Sequence, residues 1–113
     1  MIPDNGFTEF TSEVITRSKK NTLQVVFVTA EWCGSCVIIE HIVRKLQLSY
    51  SPEILFYKAD YDRFKTWANR YGIFAPPALL YAWNREVIEK DEGTVSGQEV
   101  VRKLDAIMKQ FTN

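Results

Sequence analysis

The chain has two cysteines, Cys33 and Cys36, separated only by Gly34 and Ser35. An apolar run precedes the pair and a helix-patterned stretch follows it. The first backbone N–H groups of a helix have no intrahelical partner and favour negative charge. A thiol placed there ionises more readily, and the thiolate is the nucleophile. Cys33 is expected at the helix start and partly exposed. Cys36, one turn further in, falls on the same stripe as Ile39 and Val43. It is expected to be shielded, yet close enough to Cys33 for a disulfide. One cysteine can then attack a partner's disulfide and the other resolve the mixed disulfide. The same spacing is half of a zinc site. A zinc cage needs about four ligands, and two cysteines plus the single His41 fall short. No metal is expected.

The elements that must position this pair follow from the pattern around it. Leu23–Val28 is β-branched and almost continuously apolar, as suits a strand buried on both faces. After the cysteines, Cys36, Ile39, Ile42, Val43 and Leu46 line one face of a long helix. Ile54–Tyr57 reads as a second central strand, ending at Lys58-Ala59-Asp60. Asp62 is expected to cap a short helix with Phe64, Trp67, Ala68 and Tyr71 on its apolar face, closed by Gly72. Ala78–Trp83 is a third strand, Asn84-Arg85 a tight turn, and Val87–Glu92 a charged edge strand. Gly93 ends it. Ser96-Gly97-Gln98-Glu99 matches a capping box before a last helix that buries Val100, Leu104, Ile107, Met108 and Phe111. Ahead of all these, Phe7, Phe10 and Val14 recur at helical spacing, which predicts a first amphipathic helix ending at Arg17–Lys20. The order implies a right-handed parallel crossover, then a hairpin, in a mixed sheet with helices on both faces.

Composition narrows the classes. At 113 residues the chain has the size of one domain, expected to cover 1–113 behind a polar segment at 1–6. Seven Phe, five Tyr and three Trp supply a core that a disordered chain would lack. Fourteen basic side chains balance fourteen acidic ones, so there is no electrostatic footprint for nucleic acid or an anionic membrane. No apolar run approaches the ~20 residues that span a bilayer. Met1–Gly6 has no basic stretch followed by an apolar one, so no signal peptide is read. A cytoplasmic monomer is the expectation, or a periplasmic one if a signal has been removed.

Ala30-Glu31-Trp32-Cys33-Gly34-Ser35-Cys36 resembles the active-site loop of the thioredoxin family. Tyr71-Gly72-Ile73, with Pro77 four residues on, resembles that family's cis-proline loop. Gly93, Lys58 and Asp62 also match family positions, and the resemblance covers roughly residues 7–112. It implies an α/β thioredoxin fold, with a central mixed sheet of four to five strands and about four helices; the first strand is short or missing. It implies dithiol–disulfide exchange with protein substrates through Cys33 and Cys36. No cofactor beyond that disulfide is implied, and reducing equivalents come from a thioredoxin-reductase-like or other dithiol donor. Pro77 becomes a cis-proline packed against the disulfide, the other reading being a rigid start to the strand. Trp32, Gly34, Ser35, Phe74, Ala75, Pro76, Pro77 and Gly93 become the substrate groove.

The departures from the family bear on mechanism. A buried Asp is usual six residues before the first cysteine and helps deprotonate the second; here that place is Phe27. Proton removal from Cys36 must then use water, the Cys33 thiolate or a nearby group. Lys58 either lies near the thiolates and favours their charged form, or snorkels to solvent. Glu31 and Asp60 are weak proton acceptors of the groove or merely solvated loop charges. Ser35 replaces a usual proline; its hydroxyl and N–H both favour thiolate, which implies a potential less negative than the roughly −270 mV of thioredoxin. Pro76 keeps a backbone acceptor for the substrate chain but removes the donor. Trp32, Val37, Phe74 and Ala75 suggest an apolar contact patch, unless Phe74 tucks into the core. His41 replaces a helix-kinking proline and is expected to face solvent. The expected activity is thiol–disulfide oxidoreduction. The alternatives are a redox-regulated binding module and an extracytoplasmic oxidase or isomerase.

Overall fold

In the apolar run Leu23–Thr29, side chains on both faces are buried, so the strand they form, β1, sits inside the sheet rather than at its edge. The computed structural model describes residues 7–50 and 52–111, so the polar segment 1–6 lies outside the described residues. After β1 come α1 (Cys36–Tyr50), β2 (Ile54–Asp60), α2 (Lys65–Arg70), β3 (Ala78–Trp83), β4 (Glu86–Glu92) and α3 (Gly97–Phe111). The sheet has four strands in the order β2-β1-β3-β4. β1 pairs parallel with β2 and antiparallel with β3, and β3 pairs antiparallel with β4. This is the expected mixed sheet, with one parallel crossover through α1 and one terminal hairpin.

Helices cover both faces. Adjacent residues of a strand point to opposite faces. Lys58 of β2 contacts Glu40 of α1, while its neighbour Tyr57 packs edge-on against Phe10. Phe10 in turn meets Trp67 of α2 at 4.8 Å between ring centres. α3 lies on the α1 side, where Lys103 sits over the Tyr81 ring and a side chain at Gly97 would meet Ile42. The turn at Asn84-Arg85 has both residues at positive φ, 54° and 74°, as a two-residue hairpin requires. β4 lies at the sheet edge and carries the predicted charges.

Three expectations fail, the smallest being that Phe111, expected to be buried by the last helix, is exposed and stacks on Trp83. No helix forms over 7–20; among the described residues there are three helices, not about four. Thr8 instead bridges to Tyr57 as a one-residue strand stub, and residues 12–17 form turns. The reason is local chemistry. Thr8, Thr11, Ser12, Thr16 and Ser18 are poor helix interiors because their side chains compete for backbone groups. Thr11 Oγ1 accepts from the Glu13 N–H at 3.4 Å, and the Ser18 hydroxyl donates to the Ile15 carbonyl at 2.9 Å. Phe10 keeps its predicted burial without the helix. Asp62 also does not cap α2. That helix starts after Phe64 with no side-chain cap, and the Asp62 carboxylate is engaged elsewhere.

Candidate active site

The site gathers at one end of the sheet. Val28 of β1 is in register with Ala59 of β2 and Ala78 of β3, and Ala78 with Glu92 of β4. The residues just beyond these positions are the cysteine loop, Asp60, Pro77 and Gly93. Four strands therefore deliver four chain segments to the same edge.

Cys33 and Cys36 form a disulfide with Cα atoms 5.4 Å apart. Regular α-helix begins only at Cys36, so Cys33 lies in the preceding turn rather than in the helix. That turn is closed by the Cys33 N–H donating to the Ala30 carbonyl at 3.1 Å and the Cys36 N–H donating to the Cys33 carbonyl at 3.2 Å. Cys33 is 8 % exposed and Cys36 2 %, so the order of exposure is as expected, but Cys33 is more enclosed than its position suggested. The Ser35 hydroxyl lies 3.7 Å from Cys33 Sγ. Gly34 and Ser35 are both exposed.

The loop that enters β3 is anchored by a side chain that follows β2. The Tyr61 hydroxyl donates to the Phe74 carbonyl at 2.8 Å. The Pro76–Pro77 peptide bond is cis, as the family resemblance implied. Pro77 is buried, and its carbonyl accepts the Gly93 N–H at 2.9 Å, which joins the two predicted groove residues. Gly93 has φ +81°, a conformation that favours glycine. Ala75 is exposed and Pro76 half-buried.

Trp32 and Phe74 are 63 % and 68 % exposed; Phe74 does not enter the core. Val37 and Ile38, in the first turn of α1, are also largely exposed. Trp32 is fixed by its indole N–H, which donates to Asp62 Oδ2 at 2.8 Å. Asp62 thus serves the active-site loop rather than a helix end. His41 faces solvent.

Behind the disulfide is an open pocket of about 360 Å³ lined by Cys33, Cys36, Glu31, Glu40, Lys58 and Asp60, among others. Phe27 is fully buried and in register with Lys58, so both occupy the α1 face of the sheet. The Lys58 ammonium pairs with Glu40 Oε2 at 3.8 Å and lies 5.7 Å from the centre of the Phe7 ring. Arg44 donates to the same Glu40 oxygen at 3.0 and 2.8 Å. Sequence reasoning did not single out Glu40. Its signal was present: it stands four residues after Cys36, on the same helical face. Among the described residues no cluster of three or more His, Cys, Asp or Glu side chains is placed to hold a metal.

A family model described as thioredoxin matches residues 5–106. The chain belongs to the thioredoxin family. It is similar to Thioredoxin H7 of Arabidopsis thaliana, 34% identical over 85 residues, covering 75% of this chain and 64% of that protein. It is also similar to Thioredoxin 2 of Plasmodium falciparum, 26% identical, covering 73% of this chain and 52% of the relative. Against Thioredoxin 2 of Chlorobaculum tepidum it is 25% identical, covering 85% of each. The chain thus spans between half and two thirds of the first two relatives. A solved structure from work on thiol resolution in a yeast mitochondrial 1-Cys peroxiredoxin superposes with a TM-score of 0.75 at 22% identity. It covers 88% of this chain and 94% of that one, and shows the shared fold. In this thioredoxin-family chain the Cys33–Cys36 disulfide and the cis Pro76–Pro77 bond lie at the same end of the sheet.

Proposed function

We propose that the chain is a thiol–disulfide oxidoreductase acting on disulfides in proteins. The observation that carries this is the Cys33–Cys36 disulfide at the start of α1, at the sheet edge shared with Pro77. In the reduced pair, the Cys33 thiolate attacks a substrate disulfide and releases one substrate thiolate. Cys36 then attacks Cys33 Sγ and releases the second. Two electrons pass to the substrate, and the Cys33–Cys36 disulfide is left for an external dithiol donor to reduce. No further cofactor enters. Trp32, Phe74, Ala75 and Gly93 border the groove, and the Pro76 carbonyl is the acceptor offered to an extended substrate chain.

Insulin reduction with a dithiol as donor tests this. The wild type is expected to accelerate it, Cys33→Ser to abolish the effect, and Cys36→Ser to accumulate a mixed disulfide through Cys33. A wild type that gives no acceleration while its own disulfide is reduced by the donor would reject the reading. The exposed apolar rim supports a second one, a redox-regulated binding module. In that case Phe74→Ser weakens retention of a partner without any turnover to alter. In the enzyme it raises KM several-fold and leaves Cys33 alkylation unchanged.

A further inference from the structure

Resolution of a mixed disulfide requires a proton to leave Cys36, because only the thiolate attacks. Cys36 is 2 % exposed, so bulk solvent does not receive that proton directly. The β1 residues alternating on the α1 face, Val25, Phe27 and Thr29, bring no carboxylate beneath it. The pocket behind the disulfide does contain acids. Its volume of about 360 Å³ is ample for several waters, each of which needs only about one probe sphere of space.

Glu40 is the acid that the geometry favours. It follows Cys36 by one helical turn on α1, and side chains at that spacing are neighbours. Arg44 of α1 and Lys58 of β2 both hold its Oε2, so its position is fixed from two elements. Its side chain is 30 % exposed, and it lines the same pocket as Cys36. It therefore lies between solvent and the pocket that the buried Cys36 lines. The other two acids of the pocket, Glu31 and Asp60, are exposed, and Asp60 Oδ1 accepts the Asp62 N–H at 3.2 Å.

We propose that Glu40 is the proton-relay residue of the resolving step, acting through water in the pocket behind the disulfide. The inference rests on the oxidoreductase reading. The Cys36 thiol gives its proton through water to the Glu40 carboxylate, which passes it to solvent. The resulting thiolate attacks Cys33 Sγ, the Cys33–Cys36 bond forms, and the bond from Cys33 to the substrate sulfur breaks. The electron pair of that bond leaves with the substrate thiolate. Lys58 and Arg44 are positioning residues that keep the carboxylate at the pocket.

The reduced protein mixed with a limiting amount of a chromogenic aromatic disulfide separates the steps. One coloured thiolate is released when Cys33 attacks and a second when Cys36 resolves. In Glu40→Gln the second phase is expected to slow by ~10-fold or more near about pH 6.5, below the ~10²–10⁴ of direct proton transfer because water intervenes. The deficit should close above about pH 9.5, where free thiols ionise without help. The first phase should stay within about twofold, and Glu40→Asp should recover part of the loss. A merely structural role would slow the second phase equally at every pH, and that result would overturn the proposal. So would an unchanged second phase in a Glu40→Gln protein that melts like the wild type. So would a larger deficit in Glu31→Gln or Asp60→Asn. A wild type that never releases the second thiolate overturns the oxidoreductase reading and this inference with it. Two wild-type phases with an unaffected Glu40→Gln overturn this inference alone.

Discussion

The Ser35 hydroxyl lies 3.7 Å from Cys33 Sγ, and a hydroxyl donates far better to a thiolate than to a disulfide sulfur. In the reduced pair the same contact would favour the Cys33 thiolate, so Ser35 is expected to make the disulfide more oxidising. Because Ser35 is exposed, its net worth is set at about 0.5–1.5 kcal/mol, the range of an ordinary hydrogen bond. At 30 mV per ~1.4 kcal/mol, Ser35→Ala is expected to make the potential ~10–30 mV more negative. Equilibration with glutathione at set ratios reads this directly, and an unchanged potential would remove Ser35 from the tuning. This residue, the cysteines, Pro77 and Gly93 were legible because each is marked by its type and its near neighbours in sequence. Glu40 and Asp62 were not singled out correctly. Their roles come from contacts with Lys58 and Trp32, residues 18 and 30 positions away, and such pairings exist only once β1, α1 and β2 have assembled.

At the scale of elements, α3 begins where the Glu99 N–H donates to Ser96 Oγ at 3.1 Å. Only half of the predicted capping box forms, since the Glu99 carboxylate turns outward to Arg102. Ser96→Ala is therefore expected to cost about 1 kcal/mol, and Ser96→Asp to stay within about 0.5 kcal/mol of wild type. Urea unfolding should show the loss as a lower midpoint with an unchanged slope, which marks stability rather than compactness. A midpoint unchanged in Ser96→Ala would mean that the cap contributes nothing. Strands β1 to β3 and helices α1 and α3 are readable because their periodicity is carried by large apolar residues whose burial decides the conformation, while β4 is readable from the Asn84-Arg85 turn and its charges. The helix expected over 7–20 fails to form for the opposite reason. Phe7, Phe10 and Val14 are spaced for a helix, but Phe10 is buried by Tyr57, Phe64 and Trp67 from other elements. With that packing available, the Thr and Ser side chains between the aromatics were free to set turns. The Thr8 N–H was drawn to the Phe56 carbonyl at 2.8 Å.

At the scale of the whole molecule, one network joins the hairpin to the last helix. Tyr81 of β3 is fully buried, and its hydroxyl donates to Asp91 Oδ2 of β4 at 2.6 Å. Asp91 Oδ1 accepts from the Lys103 ammonium of α3, which also lies 3.7 Å from Glu89. Burial raises the Tyr81 phenol well above its ordinary value of 10.0; the hydrogen bond to Asp91 and the negative charges of Asp91, Glu89 and Glu99 add to this. Burial works against the Lys103 ammonium, but the hydrogen bond and charge of Asp91, with Glu89 and Glu99, outweigh it and raise that group above 10.5. Both shifts have the same sign. A group whose folded value is raised contributes stability that is complete below its unfolded value and is lost as pH climbs from there toward the folded value. The network is thus intact at neutral pH and weakens from about pH 10 upward, when the unfolded chain releases protons that the folded chain retains. Tyr81→Phe removes one of those protons from the comparison. The stability advantage of wild type over Tyr81→Phe should be constant from about pH 7 to pH 10 and then shrink by about 1.4 kcal/mol per pH unit. Urea unfolding of both proteins across that range measures the difference. An advantage that stays constant to about pH 11.5 would mean that the folded Tyr81 titrates like an exposed tyrosine, and that burial and Asp91 do not favour its protonated form in the fold.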